Sequence, residues 1–205
     1  MPPGSVDDAP TLSPATFVPS LSIAWDLGFT PDGTILFTER ASGISKVVDG
    51  TKVLVCAPPD LVVSGEAGMM GLVVDPNFAS NRYVFTCFAS NASGGADVRV
   101  VRWTVAADYS QLTNRADVVT GMPFTSGRHS GCRPRFGSDG FLWIGTGDSA
   151  TGIVPVDLNS LGGKVLRVDR DGSPVAGNPF LGTVGDDRIY TYGHRNVQGL
   201  MFRAS

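Results

Sequence analysis

Residues 21–56, LSIAWDLGFTPDGTILFTERASGISKVVDGTKVLVC, decide the fold class. Two turn sequences, Pro31-Asp32-Gly33 and Asp49-Gly50, separate short apolar runs in this stretch. Asp-Gly is favoured in tight hairpin turns because glycine adopts a positive φ at little cost. The stretch therefore predicts four short antiparallel strands, at residues 24–29, 34–38, 44–48 and 52–56.

The order of strand, turn and strand recurs further along the chain. A second unit covers residues 68–105 and ends in the alternating run RVVRWTV, which is typical of a half-buried strand. A third unit covers residues 131–172 and has a Ser-Asp-Gly turn between its first two apolar runs. Residues 193–202, GHRNVQGLMF, are predicted to open a fourth unit with one strand.

This recurrence is compatible with two architectures. Repeated four-stranded antiparallel units are typical of a β-propeller, in which long insertions between strands build the binding face. An all-β sandwich whose turns recur by coincidence is the alternative. We favour the propeller, with a loose leader over residues 1–20. Residues 21–205 then form about three sheets and the start of a fourth, as part of a ring that continues in a longer protein.

The composition agrees with an all-β chain. There are 26 Gly and 14 Pro, and only three Lys and two Glu against 17 Asp. Lys and Glu are the residues that exposed helix faces use, whereas Asp, Gly and Pro favour turns. A helical bundle and a chain rich in βαβ units are therefore disfavoured.

The charge and hydropathy patterns exclude some classes of partner. The net charge of −3 gives no reason to expect a nucleic acid, because such binding needs a basic patch. No apolar run approaches the roughly 18 residues of a transmembrane helix. The first residues also lack the basic and apolar segments of a signal peptide. A small molecule or another protein stays possible as a partner.

His129 and Asp148 are the first candidates for chemistry. His129 precedes a predicted strand, and Asp148 follows the next predicted strand. Two antiparallel strands return the chain to the end at which it started, so the two side chains can meet at one rim. A carboxylate beside an imidazole fixes its tautomer and raises its basicity, which prepares a general base. In the alternative interpretation, His129 caps a loop and Asp148 belongs to a Gly-Asp turn.

Three further residues are candidates for ligand binding. Glu66 lies between Gly65 and Gly68, where the backbone can approach a ligand closely. Arg195 and Asn196 lie in the segment GHRN. Arginine offers a rigid fork of five donors for carboxylates, and asparagine offers both a donor and an acceptor. Solvated polar loops are the alternative for both segments.

No metal ligands are predicted. The His and Cys residues do not have the spacing of a zinc site. Residues 169–172, Asp-Arg-Asp-Gly, lack the further ligands that would complete a calcium loop.

The chain has three cysteines, so an odd thiol is left over if any two of them pair. Cys87 ends an apolar run of the second unit, and Cys132 lies three residues after His129. If these two units are neighbours, Cys87 and Cys132 could form a disulfide, which would indicate an oxidising compartment. Three free thiols are the alternative.

Five segments, in order, resemble a known family. They are WDLGFTPDGTILFTER, GEAGMMGLVVDPNFASNRYVF, RHSGCRPRFGSDGFLWIGTGD, LNSLGGKVLRVDRDGSPVAGNPF and IYTYGHRNVQGL, and they run over most of residues 22–202. Together they resemble the soluble glucose/sorbosone dehydrogenases, which use pyrroloquinoline quinone and fold as six-bladed β-propellers. The resemblance implies oxidation of a sugar or a related alcohol, an external electron acceptor, and an extracellular or periplasmic location.

The resemblance also implies roles for the candidate residues. His129 matches the family's general base for a substrate hydroxyl, and Asp148 matches its partner. Arg195 and Asn196 match a pair that contacts polar groups of the quinone, and Glu66 takes a position in the same pocket. The family's calcium ligands lie downstream of the GHRN segment, so Ca²⁺ is expected only from residues beyond this chain.

Two observations keep a second function open. Arg128 stands directly before His129, where the family's glucose oxidisers often carry an acidic residue. The same fold also resembles propellers of the hedgehog-interacting-protein type, which bind proteins or glycans at cell surfaces without redox chemistry. A non-catalytic binding module is therefore the alternative function.

Overall fold

The computed structural model describes residues 10–203, and this part of the chain is built almost entirely of β-strands. The strands form three four-stranded sheets, and in each sheet they pair antiparallel in sequence order. The first sheet contains β1 (Ala24–Phe29), β2 (Ile35–Glu39), β3 (Gly43–Val48) and β4 (Thr51–Cys56). The second contains β5 (Met69–Val74), β6 (Tyr83–Ser90), β7 (Asp97–Val105) and β8 (Leu112–Met122), with a single-turn helix α1 (Phe78–Asn81) between β5 and β6. The third contains β9 (Gly131–Phe136), β10 (Leu142–Thr146), β11 (Lys164–Val168) and β12 (Ile189–Tyr192).

The hairpin turns form where the sequence supplies residues that tolerate a positive φ. Asp49 and Gly50 connect β3 to β4 with φ of 49° and 71°. Positive φ at both central residues is the pattern of a type I′ turn, whose twist matches that of the flanking strands. The predicted strands of the first sheet are thereby confirmed to within two residues at each end.

The three sheets stack through two apolar clusters. One cluster lies between the first and second sheets and includes Leu36, Met69 and Val84. The other lies between the second and third sheets and includes Met70 and Phe85. Successive residues of a strand point to opposite faces, so neighbours such as Met69 and Met70 enter different clusters. The second sheet is therefore buried on both faces, which explains its uninterrupted apolar runs.

The prediction of three antiparallel units is confirmed, and two details of it were wrong. The predicted third unit ends at residue 172 and so leaves out the run IYTY, which is a strand as predicted and forms the fourth strand of the third sheet, β12. Strand β8 is missing from the sequence prediction. Strand β8, LTNRADVVTGM, carries many polar residues. Its pairing with β7 shifts register three times, and such bulges interrupt the period of two on which the prediction depends.

The predicted strand at residues 193–202 does not form, since the described residues 193–203 contain no strand. Their backbone bonds to the third sheet instead, at the end of β10 and just before β11. The His194 N–H donates to Gly163 O at 3.0 Å, and the Val197 N–H donates to Thr146 O at 3.2 Å. These groups are therefore used within the third sheet and do not enter a ladder with a further strand.

The predicted leader lies partly outside the described residues, which begin at residue 10. Residues 10–20 contain no helix or strand. Phe17 and Val18 pack beside Trp25, Ile35 and Phe37 of the first sheet and line a groove of about 660 Å³. Within residues 10–203, no helix has the length and apolar character needed to cross a membrane.

Candidate active site

His129 and Asp148 meet at one rim of the third sheet. His129 lies just before β9 and Asp148 just after β10, and these two strands pair antiparallel. Nδ1 of His129 lies 2.9 Å from Oδ1 of Asp148. Each side chain is only 9% exposed. The structure therefore brings the two residues together as their positions on the strands predicted.

The hydrogen bond fixes the tautomer of the imidazole. An ionised carboxylate can only accept, so Nδ1 of His129 carries the proton that Asp148 binds. Oδ1 of Asp148 also accepts the Ala150 N–H at 2.7 Å, which holds the carboxylate in place. The second ring nitrogen, Nε2, keeps its lone pair and can accept a proton from a ligand.

The loop that carries His129 has an unusual backbone. Gly127, His129, Gly131 and Cys132 have φ between 52° and 80°. Residues other than glycine avoid this left-handed region, and they hold it where the surrounding structure compels them. At His129 the main-chain N–H donates to Glu66 Oε2 at 2.9 Å. The loop conformation is thus tied to one of the predicted ligand-binding residues.

Gly147 lets the two loops of the site approach each other. A Cβ at this position would lie 1.7 Å from the carbonyl oxygen of His129. Only glycine therefore fits here without a movement of one of the two loops. The same carbonyl accepts the Ser149 N–H at 3.2 Å. Sequence reasoning did not single out Gly147, although a glycine between a strand and a candidate acid was a usable signal.

Glu66 belongs to a loop of the second sheet that reaches the third sheet. The N–H groups of Glu66 and Ala67 donate to Gly127 O at 3.0 and 3.1 Å. The side chain of Glu66 is exposed apart from its bond to the His129 N–H. Glu66 therefore lies at the rim beside the His129–Asp148 pair.

Arg195 and Asn196 reach the same rim from the segment after β12. The carbonyl of Arg195 accepts the Asp148 N–H at 2.8 Å. Oδ1 of Asn196 accepts the Gly131 N–H at 2.8 Å, so its Nδ2 donors are the part of the amide that stays available for a ligand. All five predicted site residues thus gather in one place, and Asn196 already serves the loop that holds His129.

Two arginines in the loops of the rim form no ion pair within residues 10–203. Of the 13 arginines, eight form ion pairs with aspartates, namely Arg99, Arg102, Arg115, Arg133, Arg135, Arg167, Arg170 and Arg188. Arg128 and Arg195 are not among them, and both are exposed. Their guanidinium donors are therefore not held by a carboxylate.

The hypothesised disulfide between Cys87 and Cys132 is confirmed. The two Cα atoms lie 5.4 Å apart, and the bond joins β6 of the second sheet to β9 of the third. The third cysteine, Cys56, is free and half-buried, and burial raises the pKa of its thiol. The disulfide crosslinks the two sheets whose loops form the rim.

Within residues 10–203, no three His, Cys, Asp or Glu side chains gather into a group that could hold a metal ion. Among the predicted site residues, the His129 imidazole bonds to the Asp148 carboxylate, and the Glu66 carboxylate accepts the main-chain N–H of His129.

Comparison with known proteins identifies a family for the chain. A family model described as Glucose / Sorbosone dehydrogenase matches residues 21–205. The chain belongs to this family. Its three four-stranded sheets are therefore the fold of a glucose/sorbosone dehydrogenase family member.

Two relatives are named as sugar dehydrogenases. The aldose sugar dehydrogenase YliI of Escherichia coli is 29% identical over 189 residues, which are 86% of this chain and 49% of that protein. The PQQ-bound structure of an aldose sugar dehydrogenase from Streptomyces coelicolor is 36% identical, with a TM-score of 0.79 over 89% of this chain and 54% of that one. The chain thus spans about half the length of these two sugar dehydrogenases.

A third relative is not named as a dehydrogenase. Hedgehog-interacting protein of Mus musculus is 30% identical over 160 residues, which are 69% of this chain and 21% of that protein.

Proposed function

We propose that the chain forms part of a quinone-dependent dehydrogenase that oxidises a hydroxyl group of a sugar or a related alcohol. The observation that carries the proposal is the buried hydrogen bond of 2.9 Å between His129 and Asp148 at the rim of the sheets. The PQQ-bound relative supports the cofactor, and the named sugar dehydrogenases support the substrate class. We further propose that the three sheets belong to a six-bladed propeller.

In this proposal His129 is the general base. Its Nε2 takes the proton of the substrate hydroxyl while the hydrogen on the same carbon leaves as hydride. Asp148 stabilises the imidazolium that forms and keeps the ring in its orientation. Glu66 and Asn196 hold the backbone on either side of His129, because they bind its own N–H and that of Gly131.

The residues at the rim fit pyrroloquinoline quinone. This quinone bears several carboxylates and carbonyls, which need cationic and neutral donors. Arg195 and Arg128 have no carboxylate partner in the described part of the chain, and Asn196 has its Nδ2 donors available. When bound, the quinone accepts the hydride and passes electrons to an external acceptor. The disulfide supports an extracellular or periplasmic location, because such bonds persist in oxidising compartments.

The test is dye reduction by the protein after incubation with pyrroloquinoline quinone and Ca²⁺. Addition of an aldose should reduce the dye, and His129→Gln should lower the rate by about 10²- to 10⁴-fold. His194→Gln is the matched control, because His194 is the only other histidine and its ring bonds to the Thr191 hydroxyl rather than to a carboxylate. Failure of the wild-type protein to take up quinone would defeat the proposal.

Binding without redox chemistry is the second candidate function. The similarity to hedgehog-interacting protein favours it, since that protein is named for binding a partner. The same experiment distinguishes the two functions. A binding module would show neither quinone uptake nor any effect of His129→Gln on dye reduction.

A further inference from the structure

Arg40 lies at the same rim as His129, and the chemistry proposed above does not use its side chain. It directly follows β2, the second strand of the first sheet. In the third sheet the corresponding position, directly after the second strand β10, is held by Gly147. Arg40 is therefore the first sheet's residue at the level of the candidate site.

Arg40 contacts the loop of Glu66 from several sides. Its guanidinium Nη1 donates to Gly65 O, and its carbonyl accepts the Met69 N–H at 2.8 Å. Gly68 packs so closely against it that a Cβ there would lie 2.3 Å from the Arg40 carbonyl oxygen. Both ends of the segment 65–69 are thus held by this one residue.

The environment of the Arg40 side chain is not what a purely stabilising role would require. Its Nε is buried and has no hydrogen-bond partner, and no other side-chain nitrogen or oxygen within residues 10–203 is in that state. An unpaired buried donor destabilises a folded protein. Arg40 also lacks an aspartate or glutamate partner in the described part of the chain, unlike the eight arginines that form ion pairs.

We propose that Arg40 is a positioning residue for the site. It fixes the segment 65–69 and so aims the Glu66 carboxylate, which holds the main-chain N–H of His129 in the left-handed conformation. The contacts run from Arg40 to Gly65, then from Glu66 to His129. Only the expected effect on turnover depends on the proposed function, since the effect on the conformation of His129 does not need a cofactor.

The test is nuclear magnetic resonance of the protein without cofactor, after ¹⁵N labelling of histidine. With only two histidines in the chain, the His129 main-chain amide and ring signals can be followed against those of His194. We expect Arg40→Gln and Glu66→Gln each to shift the His129 signals and to leave those of His194 in place. We expect the double variant to shift them no further, because both changes break one chain of contacts. Arg40→Lys, which retains a donor, should restore part of the wild-type shift.

Arg82→Gln is the matched control. Arg82 also donates to main-chain carbonyls, those of Val105 and Ala106, and forms no ion pair in the described part of the chain. Arg82→Gln should leave the His129 signals unchanged even if the substitution lowers the melting temperature of the protein. Unchanged His129 signals in Arg40→Gln, or an equal shift in Arg82→Gln, would overturn the proposal.

Turnover supplies a second and separable readout. With quinone bound, Arg40→Gln should lower kcat, and its effect should vanish in a Glu66→Gln background. If the fold-reductions in kcat of the two single variants multiply in the double variant, the positioning role would be overturned. A wild-type protein that binds no quinone would defeat the proposed function, while the resonance experiment would still decide the role of Arg40.

Discussion

At the residue scale, the site depends on backbone positions that ordinary side chains avoid. His129 holds a φ of 52°, and the carbonyl of the same residue lies where a Cβ of residue 147 would be. A non-glycine residue in the left-handed region costs on the order of 1–3 kcal/mol when the surroundings enforce it. Two hydrogen bonds enforce it here: the His129 N–H donates to the Glu66 carboxylate, and the Ser149 N–H donates to the His129 carbonyl. These contacts fix the backbone of His129, and Asp148 orients its imidazole.

Gly147→Ala should displace His129 from Asp148. The added methyl cannot fit at 1.7 Å from the His129 carbonyl, so one loop must move. We expect turnover to fall by at least about tenfold, because small misplacements of a catalytic group are costly. Gly152→Ala is the control in the same loop, since a Cβ there would have nothing within 4 Å. Equal kcat values for the two variants would refute this account of Gly147.

The positions of His129 and Asp148 could be predicted from the sequence because each lies at the end of a recognisable strand. The use of Asn196 could not. Its Oδ1 binds the Gly131 N–H, which is 65 residues away in the chain. Such a contact depends on how the loops fold back over the rim, and the periodicity of apolar residues in the sequence does not predict the path of a loop.

At the element scale, the disulfide connects two strands that are distant in sequence. The Cys87–Cys132 bond joins β6 to β9 across a separation of 45 residues. Hairpin hydrogen bonds hold strands within each sheet, whereas this crosslink holds the second sheet against the third. The first sheet could be predicted because Asp-Gly turns mark its strands, and β8 could not because its bulges break the period of two.

Removing the disulfide should reduce stability. A crosslink that closes a loop of this length restricts the unfolded chain and is worth about 4 kcal/mol. We expect Cys87→Ala/Cys132→Ala to lower the free energy of unfolding by an amount of that order, measured by urea denaturation. Cys56→Ala, which removes the free cysteine, is the control and should cost much less. A loss no larger than that of the control would show that the crosslink does not restrain the unfolded chain.

The Asp60–Arg115 pair should make stability depend on pH. Arg115 of β8 donates two hydrogen bonds, of 2.6 and 2.9 Å, to the Asp60 carboxylate. This contact lowers the pKa of Asp60 from 3.8 to about 2. Because the folded-state pKa is depressed, the stabilisation is fully present above about pH 4 and is lost as the pH falls towards 2.

The check is the free energy of unfolding of wild type and Arg115→Gln between pH 5 and pH 2. Their difference should shrink as the pH falls, because protonated Asp60 gains nothing from Arg115. Arg102→Gln breaks an ion pair with the exposed Asp171 and serves as the control. A difference between wild type and Arg115→Gln that stays constant over this range would contradict the role given to Asp60.

At the scale of the whole molecule, Asp26 links all three sheets. It lies on β1, and its carboxylate accepts the Leu72 N–H of β5 at 2.9 Å. It also pairs with Arg133 and Arg135 of β9. The first strands of the sheets are therefore joined through one buried carboxylate.

Asp26→Asn should destabilise the whole assembly of sheets. Removing one partner from a buried ionic cluster typically costs about 3–5 kcal/mol, because the remaining charges stay unpaired. We expect a loss of that order in the free energy of unfolding. Asp49→Asn, in an exposed turn, is the control and should be near neutral. If the two variants were equally stable, Asp26 would not be the link between the sheets.

The repeated order of strands and turns made the three sheets predictable as a whole. The strand expected at residues 193–202 does not form because a strand needs a neighbouring strand to pair with, and this segment bonds to the third sheet at the end of β10 and just before β11. The local sequence shows that a segment favours the extended conformation, but it does not show which strand the segment will pair with. The same limit applies to the rim, whose residues come from the second and third sheets and from the segment after β12.

The most direct measurement is the anaerobic mixing of quinone-loaded protein with an aldose carrying either hydrogen or deuterium at C1. We expect the absorbance of the bound oxidised quinone to disappear more slowly with deuterium, since that hydrogen leaves as hydride. His129→Gln should retain the quinone and reduce it about 10²- to 10⁴-fold more slowly. Reduction by His129→Gln at the wild-type rate, or no quinone bound to the wild-type protein, would contradict the assignment of His129 as the base of a quinone-dependent dehydrogenase.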